Sequence, residues 1–269
     1  MTLVALLVSM AAVSAVPCPL GACAHRGDTK HYPENTLPAF VSAVAKGAHM
    51  IEFDVYLTKD GFPIIIHDNT VDRTTDGSGN VTDYLFEDLR QLDAGSWFDQ
   101  KFAGTRIPTL QETLEAIPRY ILCNVHLKNA PGLAATVAEI LKEEDRLGHC
   151  FLACSIEQAR EAKKVAPAIK ICNMTAQTDQ PGVYADVTIE ANAEYLQFYY
   201  QKLEGVAEQV PRVQARGIVV NYFYANASED ICHAVETGIN YILTDDLDTC
   251  LAVLEREYGI SPARRPVQE

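Results

Sequence analysis

Short β-type runs, most of them rich in Ile, Val, Leu or aromatic residues, recur along this chain at 22–25, 50–57, 121–127, 151–154, 169–174, 186–189, 218–221 and 241–243. Runs of this length and make-up predict strands. Between most of them the apolar residues fall at helical spacing, as at 39–46, 133–144, 156–165 and 229–236. Eight strands alternating with helices in one chain of 269 residues predict an α/β fold of the (β/α)8 (TIM) barrel type. A doubly wound open sheet is the alternative, but no glycine-rich phosphate loop follows the first strand.

One segment breaks the alternation. From Gly61 to Arg106 the chain passes through a hairpin-like run, Ile64-Ile65-Ile66-His67, then a polar stretch containing glycines, a short helix near 86–91 and an aromatic stretch at 97–102. It reads as a small insertion, about 61–106, between the second strand and its helix. Insertions on a barrel tend to sit over the C-terminal mouth, where chemistry occurs.

Composition alters this picture little. Apolar residues make up 48% and charged residues 22%, as in ordinary globular proteins, and 16–269 reads as one domain. Charge says more. A net charge of −14 leaves no basic footprint for nucleic acid, so an anionic ligand would need positive charge supplied locally, by a metal ion or by placed Arg and Lys. Residues 1–15 carry no charge and end in Val13-Ser14-Ala15, like the apolar region and cleavage site of a secretory signal, although the basic start is missing. The run is too short for a stable membrane span. A cleaved leader implies an exported (periplasmic or extracellular) protein; a retained one implies a cytoplasmic protein. Of the eight cysteines, Cys123, Cys154 and Cys172 sit in apolar runs and read as buried thiols. Cys18 with Cys23, or Cys232 with Cys250, are the pairs open to an exported chain.

Candidate chemistry lies at strand ends. His25 and Arg26 close the first strand; a histidine there transfers protons near neutral pH and an arginine grips phosphoryl oxygens, although taken alone the pair reads better as a surface turn. Glu52 and Asp54 in Ile51-Glu52-Phe53-Asp54-Val55 share one strand face. Spacing alone leaves them equally readable as a pair for a hard divalent cation or as acids in solvent. His67 and Asp68 follow the 64–66 run, and the polar residues from Thr70 to Thr75 have no evident role. Asn124, His126 and Lys128 alternate onto one face, which would point His126 into the same mouth; a lone strand histidine is more often structural. Together, two histidines, an Arg, a Lys and an acidic pair are the inventory for metal-assisted cleavage of a phosphodiester.

The runs AHRGDTKHYPENTLPAF, IEFDVYLTKDGFPIIIHDNTVDRTTDGSG, FAGTRIPTLQETLEAI and GINYILTDD resemble the glycerophosphodiester phosphodiesterase family over nearly all of the chain beyond residue 20. The resemblance implies a barrel with a small insertion, one divalent cation (Mg²⁺ or Ca²⁺), and hydrolysis of a small-molecule phosphodiester to glycerol 3-phosphate and an alcohol. It implies His25 and His67 as the general acid/base pair, Arg26 and Lys128 on the phosphate, and Glu52 and Asp54 on the metal. Glu34 and Asn35 match the family's ENT motif, with Asn35 expected to order the site and cap the first helix.

Two positions depart from the family pattern. Where a run like N-I-E-I-K usually supplies a third metal-binding glutamate, this chain has His126, which removes a negative charge and favours Mn²⁺ or Zn²⁺. Where W-T-V-N is usual, it has Ile218-Val219-Val220-Asn221, without the aromatic residue. Two other readings follow. A lysolipid substrate would need an apolar groove, with Trp97, Phe98, Phe102 and Tyr222-Phe223-Tyr224 as candidates. A non-catalytic phosphate-ligand binding protein would follow from a weakened metal site. The oligomeric state cannot be read from the sequence.

Overall fold

The computed structural model describes residues 19–178, 180–199 and 203–264. Eight parallel strands, β1 (Gly21–His25), β2 (Met50–Leu57), β4 (Leu122–Leu127), β5 (Cys150–Cys154), β6 (Lys170–Asn173), β7 (Tyr195–Tyr199), β8 (Val219–Phe223) and β9 (Tyr241–Thr244), pair in sequence order. β1 pairs with both β2 and β9, which closes the sheet into a (β/α)8 barrel. β3 (Pro63–Ile65) hangs antiparallel on β2 outside the barrel wall. Helices α1 (Leu37–Lys46), α2 (Phe86–Leu89), α3 (Leu110–Ala116), α4 (Leu133–Glu143), α5 (Ile156–Val165), α6 (Pro181–Glu190), α7 (Leu203–Ala207), α8 (Val210–Gln214), α9 (Ser228–Glu236) and α10 (Leu247–Tyr258) complete the element order.

Strand alternation divides the core in two. Outward residues such as Ile51, Phe53, Val125 and Leu152 pack under the helices in the main cluster, while Cys23, Met50, Phe151, Cys172, Tyr195 and Leu243 fill the barrel interior. Parallel strands buried on both faces explain the near-continuous apolar runs of the sequence. Helix starts are written locally: Thr109 with Glu112 and Ser155 with Gln158 form capping boxes at α3 and α5.

The strand predicted at 186–189 is instead the end of α6, and the sixth barrel strand is β7. Val187 and Ile189 mimic a β-branched run, but Pro181 opens a helix there, and buried Tyr184, Ala185 and Thr188 lie at helical spacing. In β7 the true alternation puts Leu196 and Phe198 under the helices and Tyr195 inside the barrel.

Between β2 and α3 the insertion carries a small core of its own: Ile64, Ile66, Val71, Val81, Leu89 and Ile107 cluster apart from the barrel core, whereas Ile65 faces the other way and joins it. Cys232 and Cys250, offered as a pair, are free thiols, as are all the other described cysteines. Cys18 and the 1–15 leader lie outside the described residues. Among the described residues no helix is long and apolar enough to cross a membrane.

Candidate active site

The strand ends of the barrel and the insertion enclose a cavity of about 330 Å³ lined by His25, Arg26, Glu52, Asp54, His67 and His126, with Met174, Gln177, Gln197, Tyr199, Phe223 and Leu243 on its remaining sides. Register explains the gathering. His25 lies level with Glu52 across β1 and β2, and Asp54 lies level with His126 across β2 and β4. Even-numbered residues of β2 and β4 share the inward face, so the gathering of His25, Glu52, Asp54 and His126 follows from strand pairing alone.

The turn after β1 needs unusual backbone. Arg26 adopts φ +58° and Gly27 φ +90°. A Cβ on Gly27 would come within 2.7 Å of the Ala39 side chain in α1, so both the left-handed conformation and the close helix approach call for glycine. This turn aims the Arg26 backbone N–H at Glu52 Oε2 (3.1 Å) and its guanidinium Nη1 at Glu34 Oε1 (2.8 Å), with Nε 3.3 Å from Asp54 Oδ2. Asn35, at φ +55°, donates from Nδ2 to Asp54 Oδ2 (2.9 Å) and accepts from the Asp54 backbone N–H (3.3 Å). It therefore holds Asp54 but does not cap α1. That position belongs to Thr36, whose hydroxyl donates to the Pro33 carbonyl instead.

The two histidines share one arrangement. Nδ1 of His25 lies 2.6 Å from Asp245 Oδ1, and Nδ1 of His67 lies 2.6 Å from Asp68 Oδ1. A carboxylate on Nδ1 fixes the proton there and leaves Nε2 for a substrate. Burial lowers the His67 pKa below the ordinary histidine value, with Lys128 and Arg26 adding to it against the opposing charges of Asp54 and Asp68. Asp68 is held at about 2, first by its hydrogen bond from Arg73. Burial would raise Asp245, but His25 and Asn226 hold it below the usual carboxylate range. Asn226 accepts from the Asp245 backbone N–H (2.9 Å) and from the Thr244 hydroxyl (2.9 Å).

Glu52, Asp54 and His126 each place a ligand atom within 4.8 Å of the others. Burial of Asp54 is overcome by His126 (3.0 Å), Lys128 (2.8 Å) and Arg26, which keep its carboxyl well below the usual range. His126 is held above its ordinary pKa, against burial, by hydrogen bonds to Asp54 and Glu52. Glu52 is 3% exposed and its one described ion pair is to His126 at 3.7 Å. A buried carboxylate so weakly neutralised suits a cation, and two carboxylates with one imidazole are a usable oxygen and nitrogen donor set. A second acidic cluster, Asp28, His31 and Asp248, already holds a cation: the Lys46 ammonium lies 2.8 Å from both Asp28 and Asp248.

Of the site residues expected from the sequence, His25, Arg26, Glu52, Asp54, His67 and His126 line this cavity. Lys128 reaches it through Asp54 rather than by lining the cavity, and Glu34 through Arg26. Of the aromatic candidates for an apolar groove, Phe223 lines the cavity, its ring 4.7 Å from that of His25. Trp97, Phe98 and Phe102 pack in series within the insertion instead, with Phe102 also against Tyr32 of the segment between β1 and α1. Sequence reasoning assigned no role to Asp245, Asn226, Asp68 or Arg73. The final TDD motif marked the first of these, but a partner 220 residues from His25 becomes legible only once the barrel closes.

A closed (β/α)8 barrel that gathers two carboxylate-tethered histidines, an arginine and an acidic pair at its strand ends belongs to the barrel phosphodiesterases in architecture. Residues 25–249 match the Glycerophosphoryl diester phosphodiesterase family, and the chain belongs to that family. It is 36% identical over 246 residues, 87% of this chain and 97% of its relative, to a glycerophosphodiester phosphodiesterase of Caldanaerobacter subterraneus subsp. tengcongensis. It is 34% identical over 247 residues, 86% of this chain and 97% of its relative, to one of Bacillus altitudinis. Among solved structures, a phosphodiesterase of Oleispira antarctica in complex with the product sn-glycerol-3-phosphate is 27% identical with a TM-score of 0.77, covering 87% of this chain and 96% of that one.

Proposed function

We propose that this chain is a glycerophosphodiester phosphodiesterase, hydrolysing glycerophosphodiesters to glycerol 3-phosphate and an alcohol. One observation carries the reading: a single cavity presents two histidines, each tethered at Nδ1 by an aspartate, beside Arg26 and the Glu52–Asp54 pair. In one cleavage a P–O bond forms to the nucleophile, water or a neighbouring substrate hydroxyl, and the P–O bond to the alcohol breaks; where the hydroxyl attacks, the product is a cyclic phosphate, and water then adds to phosphorus and breaks one ring P–O bond to give glycerol 3-phosphate. One histidine takes the nucleophile's proton and the other gives a proton to the departing alkoxide, each transfer typically worth about 10²–10⁴-fold. Arg26 is placed to hold phosphoryl oxygens, and Lys128, 2.8 Å from Asp54, adds positive charge beside them. Glu52, Asp54 and His126 would hold a divalent cation, which supplies charge neutralisation at the phosphoryl group when bound. His126 in place of an acid inclines that donor set toward Mn²⁺ or Zn²⁺. The uncharged leader at 1–15 supports export, which the mass of the mature chain would check.

The test is to strip the purified protein of metal and follow glycerol 3-phosphate release from glycerophosphocholine with Mg²⁺, Ca²⁺, Mn²⁺ or Zn²⁺ restored separately. Release with at least one cation is the expected result. Failure with all four, under conditions where a lysolipid is cleaved, would replace the substrate assignment.

A further inference from the structure

The insertion offers a guanidinium that the proposed chemistry does not use. Arg73 forks both ways: Nη1 and Nη2 donate to Glu34 Oε2 and Oε1, each at 2.8 Å, and Nε and Nη2 donate to Asp68 Oδ2 and Oδ1 at 2.6 and 3.1 Å. Each carboxylate it grips already holds a site residue. Glu34 Oε1 also accepts from Arg26 Nη1 (2.8 Å), and Asp68 Oδ1 holds His67 Nδ1 (2.6 Å). The result is one continuous chain of charge-assisted hydrogen bonds, Arg26–Glu34–Arg73–Asp68–His67, running from the barrel rim to the insertion histidine. Bidentate arginine–carboxylate pairs fix orientation as well as distance, and a lysine has no equivalent fork.

The Arg73 side chain is 44% exposed, and an exposed ion pair is ordinarily worth little. Its backbone, however, is held. Val71, two residues before it, is fully buried in the insertion core, and Thr75, two residues after it, donates its hydroxyl to the Val71 carbonyl. The guanidinium therefore projects from an anchored loop, and its two partners carry side chains that face the same cavity. Asp68 follows His67 directly in the chain and has no neighbouring strand to set its position, so its carboxylate is oriented by Arg73 from outside.

We infer that Arg73 is a positioning residue for the reaction. It acts through Asp68 and Glu34 to hold the His67 imidazole and the Arg26 guanidinium at a fixed separation across the cavity. This rests on the phosphodiesterase reading, and the experiment separates the two. If the wild-type holoenzyme, with its best cation, releases no glycerol 3-phosphate, that reading fails before any variant is compared.

With wild-type turnover in hand, Arg73→Gln is expected to lower kcat by about 10- to 100-fold, the cost of a histidine held out of line, while KM for glycerophosphocholine moves by less than about threefold. Arg73→Lys keeps the charge and should recover only a small part of the loss. Arg73→Gln combined with Asp68→Asn should cost less than the product of the two single losses, since both changes release the same histidine and only the Glu34–Arg26 arm is added. Wild-type kcat in Arg73→Gln, full recovery by Arg73→Lys, or losses that multiply in the double variant would each overturn the inference. A merely structural arginine would lower the thermal midpoint and the active fraction without producing this kcat-against-KM split or this non-additivity.

Discussion

The two histidines reach one cavity by different means. His25 belongs to the barrel: β1 pairs with β9, Ala24 level with Thr244, so the aspartate that follows β9 arrives at His25 as a consequence of sheet register. Behind it stands a neutral amide, Asn226. His67 belongs to the insertion, where no barrel strand fixes the next residue. Its aspartate is its chain neighbour, and behind that stands a charged fork, Arg73. A closed sheet supplies geometry through backbone pairing, whereas a loop must obtain it from side chains at the cost of ordering them.

Loss of the imidazoles themselves is the largest expected effect. His25→Ala and His67→Ala should each lower kcat by about 10²–10⁴-fold with the fold retained by circular dichroism; near-normal turnover in either would remove that histidine from the pair. The tethers come next. Asp245→Asn and Asp68→Asn should each cost about 10- to 100-fold in kcat/KM, because an amide can accept the Nδ1 proton but no longer stabilises positive charge on the ring. A far larger loss for Asp68→Asn than for Asp245→Asn would show that the insertion depends on its carboxylate more than the barrel does. Substitutions in the two cores should leave the least trace in turnover and are read in stability instead. Phe53→Ala, under α1 and with its ring 5.8 Å from that of Phe40, should cost about 3–5 kcal/mol of global stability by urea titration. Leu89→Ala in the insertion core should cost about 2–4 kcal/mol where it packs. Equal shifts of one cooperative transition would mean that the two regions unfold together.

Much of this was legible beforehand, for identifiable reasons. Strands buried on both faces leave continuous apolar runs, and the i, i+2 spacing of Glu52 and Asp54 fixes their common face whatever surrounds them. The sixth strand lies elsewhere than the composition of Val187 and Ile189 suggests, because Tyr184 and Thr188 are buried on a helix by Asn173 and Phe198 of the two flanking strands, β6 and β7. Individual lining residues were legible at strand ends; their tethers were not. Asp245 and Asn226 become neighbours of His25 only through barrel closure, and the role of Arg73 depends on where a polar loop comes to rest.

The separate apolar core of the insertion has a consequence for turnover. His25, Glu52 and Lys128 ride on the barrel, while His67 and Arg73 ride on a unit whose cluster of Ile64, Ile66, Val71, Val81 and Leu89 consolidates apart from it. On the proposed assignment, a chain whose insertion had lost that core would keep His25 and the acidic pair but not His67 in the cavity, so the integrity of a small apolar cluster away from the chemistry is itself a condition of turnover.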